Sequence, residues 1–162
     1  MDESKGSQTG QRYTAWPTRK IQAMNGKLLR VVLDTNVLVS LLVFQDERFQ
    51  VLRRLWTTRA IEVLSDDALR QELLRVLNYP EFIRRCCAEQ ALAFYDAHVL
   101  PAQAVQSTSL PLCRDNDDQK FIWLAAGGDA AILITDDKQL LRMSNKLPFQ
   151  VETPLKFQRR FA

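Results

Sequence analysis

One histidine and three cysteines are all that 162 residues offer by way of imidazole or thiol chemistry. His98 falls in a helical stretch with no second histidine to complete a ligand pair, which makes it a structural residue on its face. Cys86, Cys87 and Cys113 are too few and too irregular for a disulfide framework. They also lack the spacing of a zinc site. Small buried thiols are the simpler reading. No apolar run approaches the length of a membrane span, so the chain is not expected to cross a bilayer. The N-terminus has no apolar core of the signal-peptide kind, so the expected location is cytoplasmic. Internal repeats are absent.

What is there is ordinary globular material: 46% hydrophobic and 25% charged, at a length that suits one domain. The net charge of +3 is unevenly placed. Residues 1–30 hold six Lys/Arg against two Asp/Glu, so the remainder is slightly acidic. Residues 1–27 are rich in Ser, Gly, Gln and Thr without periodicity and read as a flexible extension. Such a basic tail can bind nucleic acid nonspecifically. Residues 28–162 form the expected folded domain.

Within that domain strands and helices alternate. Leu28–Leu33, Ile61–Leu64, Ala131–Ile134 and Gln150–Val151 read as short buried strands, with a weaker one inside Ala104–Leu112. Helices are expected from Thr35 or Asn36 to about Phe44, over Arg48–Arg59, from Asp66 to Leu77, over Glu81–Val99 and over Asp117–Ala126. The last is closed by Gly127–Gly128. Another helix starts near Asp137, and a terminal segment covers Leu155–Phe161. The alternation calls for an α/β fold with a central parallel sheet and helices on both faces. In such sheets ligands bind beyond the carboxyl ends of the strands.

The acids fall where that rule matters. "RVVLDTN" ends a buried strand on Asp34, and "AILITDD" ends another on Asp136 and Asp137. Parallel strands put both ends on one edge. Glu72 shares a helical line with Leu69 and Val76, so it reaches the margin of the core. Asp118 shares a line with Phe121, Ile122 and Ala125, in the first turn of its helix. Singly, each has a plainer explanation: Asp66, Asp117 and Asp137 as helix caps, Glu72 as a partner of Arg75, Asp34 as a turn residue. Jointly they predict converging carboxylates, which repel and raise one another's pKa. A divalent cation removes that conflict. Oxygen donors without histidine or thiolate point to Mg²⁺ or Mn²⁺. The chemistry implied is hydrolysis of a phosphodiester without a covalent intermediate.

The blocks "VVLDTNVLVS", "LSDDALRQELLRVLNYPEF", "CRDNDDQKFIWLAAGGDAAILITDDKQLL" and "VETPLKF" resemble, in that order, the PIN-domain family. The likeness is to its bacterial toxin–antitoxin branch of VapC-type ribonucleases, and it covers about Leu28 to Phe157. The resemblance implies a three-layer α/β/α PIN-like fold and a Mg²⁺- or Mn²⁺-dependent endoribonuclease. The implied partners are RNA, a cognate antitoxin protein and a second copy of the chain. Asp34, Glu72, Asp118 and Asp137 match the family's acids, and Thr35 and Asn36 match the polar pair after the first. Asp34, Asp118 and Asp137 are then the metal ligands. Glu72 would ligate the ion or orient water beside it. Thr35, Asn36 and Thr135 would position carboxylates or a phosphate oxygen. Asp136 stands where the family carries glycine, which leaves open which acid of the pair is the ligand. Gln119 replaces a common Asp or Asn and would support the ligands from behind. Arg48–Arg59 and Glu81–Val99 are the candidate dimer helices.

Two other enzyme classes place an acid at a strand end. A haloacid-dehalogenase-type phosphatase needs a second Asp at the position of Asn36. A phospho-accepting receiver domain needs a lysine after a late strand, which Lys138 does not supply. The competing reading of another kind is a catalytically weak PIN-like module that binds RNA or an antitoxin.

Overall fold

A computed structural model describes residues 27–161; the expected extension falls outside them but for Lys27. Five strands are present among these residues: β1 (Arg30–Leu33), β2 (Glu62–Ser65), β3 (Leu100–Pro101), β4 (Ile132–Ile134) and β5 (Gln150–Glu152). They form one all-parallel sheet in the order β3-β2-β1-β4-β5. The helices are α1 (Thr35–Val39, running on into a π-helical turn at Ser40–Phe44), α2 (Gln50–Thr57), α3 (Asp67–Leu77), α4 (Pro80–Ile83), α5 (Ala88–Ala97), α6 (Gln119–Gly127), α7 (Lys138–Arg142) and α8 (Pro154–Gln158). The expected α/β/α architecture is the observed one.

Alternation along the strands explains the two cores. Val31, Leu33, Val63, Ile132 and Ile134 point into one, under α1, α2, α5 and α8. Val32, Leu64, Leu133 and Val151 point into the other, against Phe121, Ile122, Leu124 and Ala125 of α6. With both faces covered, the strands are apolar runs through their middles, and the polar residues Arg30, Glu62, Ser65, Gln150 and Glu152 fall at strand ends. Trp56 of α2 anchors the first core. Its ring is 1% exposed, meets Phe94 edge-on at 5.3 Å, and donates its indole N–H to the His98 carbonyl at 2.7 Å. His98 itself stacks on Phe94 at 4.1 Å, a structural setting for the only histidine.

Three local expectations give way. The single helix over 81–99 is two, α4 and α5, separated by a turn. Phe82 and Ala91 pack against the same core. Nine residues at ~100° each would set them about 180° apart on a straight helix, so the helix must break. The strand sought within 104–112 is instead β3, at Leu100–Pro101, pairing Leu64 with Leu100. Proline is admissible there because β3 is an edge strand.

The glycines at the end of α6 serve a different purpose from the expected left-handed cap. Gly128 has φ −91°, while Asp129 takes the positive φ of 57°. The glycines are needed for space. A Cβ on Gly127 would overlap the Gln103 carbonyl, and one on Gly128 would lie 2.5 Å from the Leu64 side chain. The chain from 102 to 105 therefore lies tight against the end of α6, fixed by the Val105 N–H to Trp123 carbonyl bond at 3.0 Å.

Candidate active site

Strand order leaves β1 in opposite directions, toward β2 and toward β4, so the topological switch point lies between β1 and β4. Register sets Leu33 beside Ile134, which brings the next residues, Asp34 and Thr135, side by side at the carboxyl edge. The Asp34 N–H donates to the Ile134 carbonyl at 3.0 Å and extends the ladder by one bond. Its carboxylate is 6% exposed and held at both oxygens. Oδ1 accepts from the Asn36 N–H at 3.0 Å and caps α1, and Oδ2 accepts from the Thr135 hydroxyl at 2.5 Å. Burial pushes its pKa up, the two hydrogen bonds oppose that, and the charges of Asp137 and Glu72 add to it.

Thr135 also accepts the Asp137 N–H at 2.9 Å, so one fully buried hydroxyl ties two acids together. Asp137 caps α7 through the N–H groups of Gln139 and Leu140, at 2.8 and 3.4 Å. Asp118 arrives from the other core. It ends a 3-10 turn, Asn116–Asp118, that leads into α6, where Phe121 and Ile122 are buried. Its carboxyl is pushed up to about 7, first by burial, then by the charges of Asp137, Asp34 and Asp115 and by a hydrogen bond to Asp137. A carboxyl–carboxyl hydrogen bond requires a proton on one partner or a cation in its place.

Glu72, on α3, sits on the margin of this group. It accepts from the Thr35 hydroxyl and ion-pairs with Lys120. Arg75, one turn along the same helix, is 3.8 Å from it. Thr35, the residue after Asp34, is buried. Asn36 is exposed, and its part in the site is the backbone bond to Asp34. Asp34, Asp118 and Asp137 are thus brought together, with Glu72 alongside. Asp136 is not: it is exposed, and its charge bears on Arg48. Gln119 turns away too. It bonds the Cys113 N–H at 2.6 Å and the Pro111 carbonyl at 3.1 Å, and so anchors the loop before Asp118.

Lys120 was not expected from the sequence as a site residue. It lies two positions after Asp118, in the first turn of α6, where its ammonium reaches the Asp117 carbonyl at 2.5 Å as well as Glu72. Its spacing from Asp118 is a signal that becomes readable only once α3 and α6 are known to pack together.

A family model described as PIN domain matches residues 30–139. The chain belongs to the PIN-domain family. No curated protein matches it. PIN domains are in general nucleases that use divalent metals and bind RNA, and the matched segment contains all four acids named above. Among the described residues of this PIN domain, no three acid, histidine or cysteine side chains stand together tightly enough to cage an ion unaided. The donor set nonetheless fits a hard divalent cation. It consists of carboxylate oxygens, it contains the Asp118–Asp137 pair in need of positive charge, and Mg²⁺ commonly keeps several waters and takes only one or two carboxylates directly. No helix among the described residues is long and apolar enough to cross a membrane.

Proposed function

We propose that this PIN domain is a Mg²⁺- or Mn²⁺-dependent endoribonuclease that hydrolyses RNA phosphodiester bonds, acting as the toxin of a toxin–antitoxin pair in the cytoplasm. The observation that carries the catalytic part is the convergence of Asp34, Asp118 and Asp137 at the switch point, with the Asp118 carboxyl raised to about 7 by its neighbours. The toxin part rests on the likeness of the four sequence blocks to VapC-type toxins. The same likeness supports a cognate antitoxin and a homodimer. The domain is taken to begin at residue 28, after an extension over 1–27.

Asp34, Asp118 and Asp137 would hold the ion. A bound divalent cation lowers the pKa of water, orients a phosphodiester and stabilises the leaving oxygen. The remaining work falls to the chain. Thr135 fixes the rotamers of Asp34 and the backbone of Asp137 together, so two ligands cannot drift independently. Thr35 points Glu72 at the site, and Lys120 neutralises it. A phosphate entering the site offers Lys120 an alternative anionic partner, which would release Glu72 to orient or deprotonate water.

A second reading, a catalytically weak RNA- or antitoxin-binding module, draws support from the engagement of Glu72 by Lys120 and Arg75. The two readings separate on one assay. The purified protein should cut single-stranded RNA with Mn²⁺ or Mg²⁺, stop when EDTA is added, and slow at least about 100-fold in Asp137→Asn. Asp136→Asn should cut at nearly the wild-type rate. Intact RNA under both ions would overturn the nuclease reading and leave the binding module.

A further inference from the structure

A run of contacts leads away from Glu72 along α3. Arg75, 3.8 Å from Glu72, donates to the Tyr79 hydroxyl at 2.6 Å, with its guanidinium 5.9 Å from the ring centre. Tyr79 lies stacked on Phe82 at 6.3 Å, and Phe82 meets Phe44 edge-on at 5.7 Å. Arg85 lies over the Phe44 ring at 5.0 Å. Three rings, from the π-helical turn after α1, the link between α3 and α4, and α4 itself, thus form one surface bounded by an arginine at each end. Phe44 is 45% exposed although it is a large aromatic, and Arg75 and Arg85 are exposed as well. Beside them a shallow depression is lined by Pro80, Glu81, Arg84 and Arg85. Cations outnumber acids on this face, whereas the chain after residue 30 is slightly acidic overall.

Aromatic faces alternating with guanidinium groups suit a flexible polyanion with flat bases: bases stack, phosphates pair with arginine, and neither needs a particular sequence. From Glu72 the five residues to Leu77, the end of α3, rise about 7.5 Å, and Tyr79 follows in the link to α4. The helical part alone is room for roughly two stacked nucleotides at ~3.4 Å each. Ile83, 55% exposed on α4, would equally suit a protein partner. The arginine at each end of the ring surface, and its direct link to Glu72, favour nucleic acid.

We infer that Arg75, Tyr79, Phe82, Phe44 and Arg85 form a track that holds single-stranded RNA leading out of the acidic site. The inference rests on the nuclease reading for its substrate, but the binding it requires is separable from cleavage. The test is fluorescence anisotropy of a labelled single-stranded RNA of mixed sequence with the full chain. It is run in EDTA at several salt concentrations, with thermal melts as a folding control. Phe44→Ala should weaken binding about tenfold without changing the salt slope. Arg85→Ala should weaken it and lower the slope by about 0.7, the value for one lost phosphate contact on a single strand. Arg85→Glu should weaken it further. Lys156→Ala, which removes an exposed charge from α8, should change affinity less than twofold. Affinities of Phe44→Ala and Arg85→Ala within twofold of wild type would overturn the track, as would a wild type that does not bind RNA. A change in oligomeric state with RNA affinity intact would overturn it in favour of a protein interface. Wild-type cleavage with unaltered binding in the variants refutes the track alone. Altered binding in the variants with no cleavage by the wild type refutes the nuclease alone.

Discussion

Asp118→Asn should stabilise the metal-free protein and at the same time destroy its response to metal. The Asp118 carboxyl is raised from 3.8 to about 7 in the fold. A raised carboxyl binds its proton more readily folded than unfolded. Its protonated form therefore contributes stability that is fully present below about 4 and is lost as pH climbs through about 7. The full difference corresponds to at most about 4 kcal/mol. Asp118 is only half-buried, so solvent screening leaves about 1–2 kcal/mol. Asparagine has the same shape and no charge at any pH. In EDTA at pH 8 the variant should melt about 3–6 °C above wild type, and at pH 4 the two should coincide. Mn²⁺ should then raise the wild-type melting temperature, by the equivalent of about 2.7 kcal/mol at 100 times its dissociation constant, and move the variant much less. The experiment is a set of thermal melts at pH 4, 6 and 8, with EDTA and with Mn²⁺. A variant less stable than wild type at pH 8 in EDTA, or one that gains equally from Mn²⁺, refutes the idea that Asp118 sits in a cluster of mutually repelling ligands.

Other consequences follow from single contacts. Because protons compete with the ion at Asp118, Mn²⁺ affinity measured by calorimetry should rise between pH 6 and pH 8; a flat profile would place the ion elsewhere. Thr135→Val leaves Asp34 Oδ2 without its donor inside the fold and should cost about 1–3 kcal/mol in urea denaturation, with Thr135→Ser recovering most of it. Arg160→Ala strips the bidentate partner from Glu152, a carboxylate only 1% exposed on β5. Arg160 is itself partly exposed, so the cost should be about 2 kcal/mol, and a midpoint within error of wild type would show that water replaces it. Gly127→Ala should cost about 1–3 kcal/mol by forcing Gln103 off the end of α6, whereas Asp129→Gly, at a positive φ, should be neutral or stabilising.

The sheet and the position of its acids were legible because they depend on short-range rules. The buried middles of parallel strands are apolar, so Asp34 stood out as the first charge past β1, and the pair Asp136 and Asp137 as the first past β4. The ambiguity between Asp136 and Asp137 was real in the sequence. Which of two adjacent acids faces the cleft depends on the backbone turn made by the Thr135 hydroxyl and the Asp137 N–H, a local bond that leaves no period in the sequence. Glu72 was placed correctly on its helix face, but its partner Lys120 was invisible, since the pair joins residues far apart in the chain. The break between α4 and α5 was missed because no proline or glycine marks Arg84–Cys87; the cause lies in where Phe82 and Ala91 must both pack. Gly127 and Gly128 were recognised as a stop signal for a reason the backbone does not use.

The measurement that bears most directly on the account is cleavage of a single-stranded RNA by the wild type and by Asp34→Asn, purified in parallel, with Mn²⁺ and with EDTA. Asp34 is the acid whose two oxygens are fixed by both the next helix and the neighbouring strand. Its amide variant keeps the side chain's shape, loses the charge and exchanges one of the two acceptor oxygens for an N–H donor. The account predicts Mn²⁺-dependent cleavage by the wild type and at least a hundredfold less by the variant, with both folded. Equal cleavage by the two proteins, or cleavage that persists in EDTA, would contradict it.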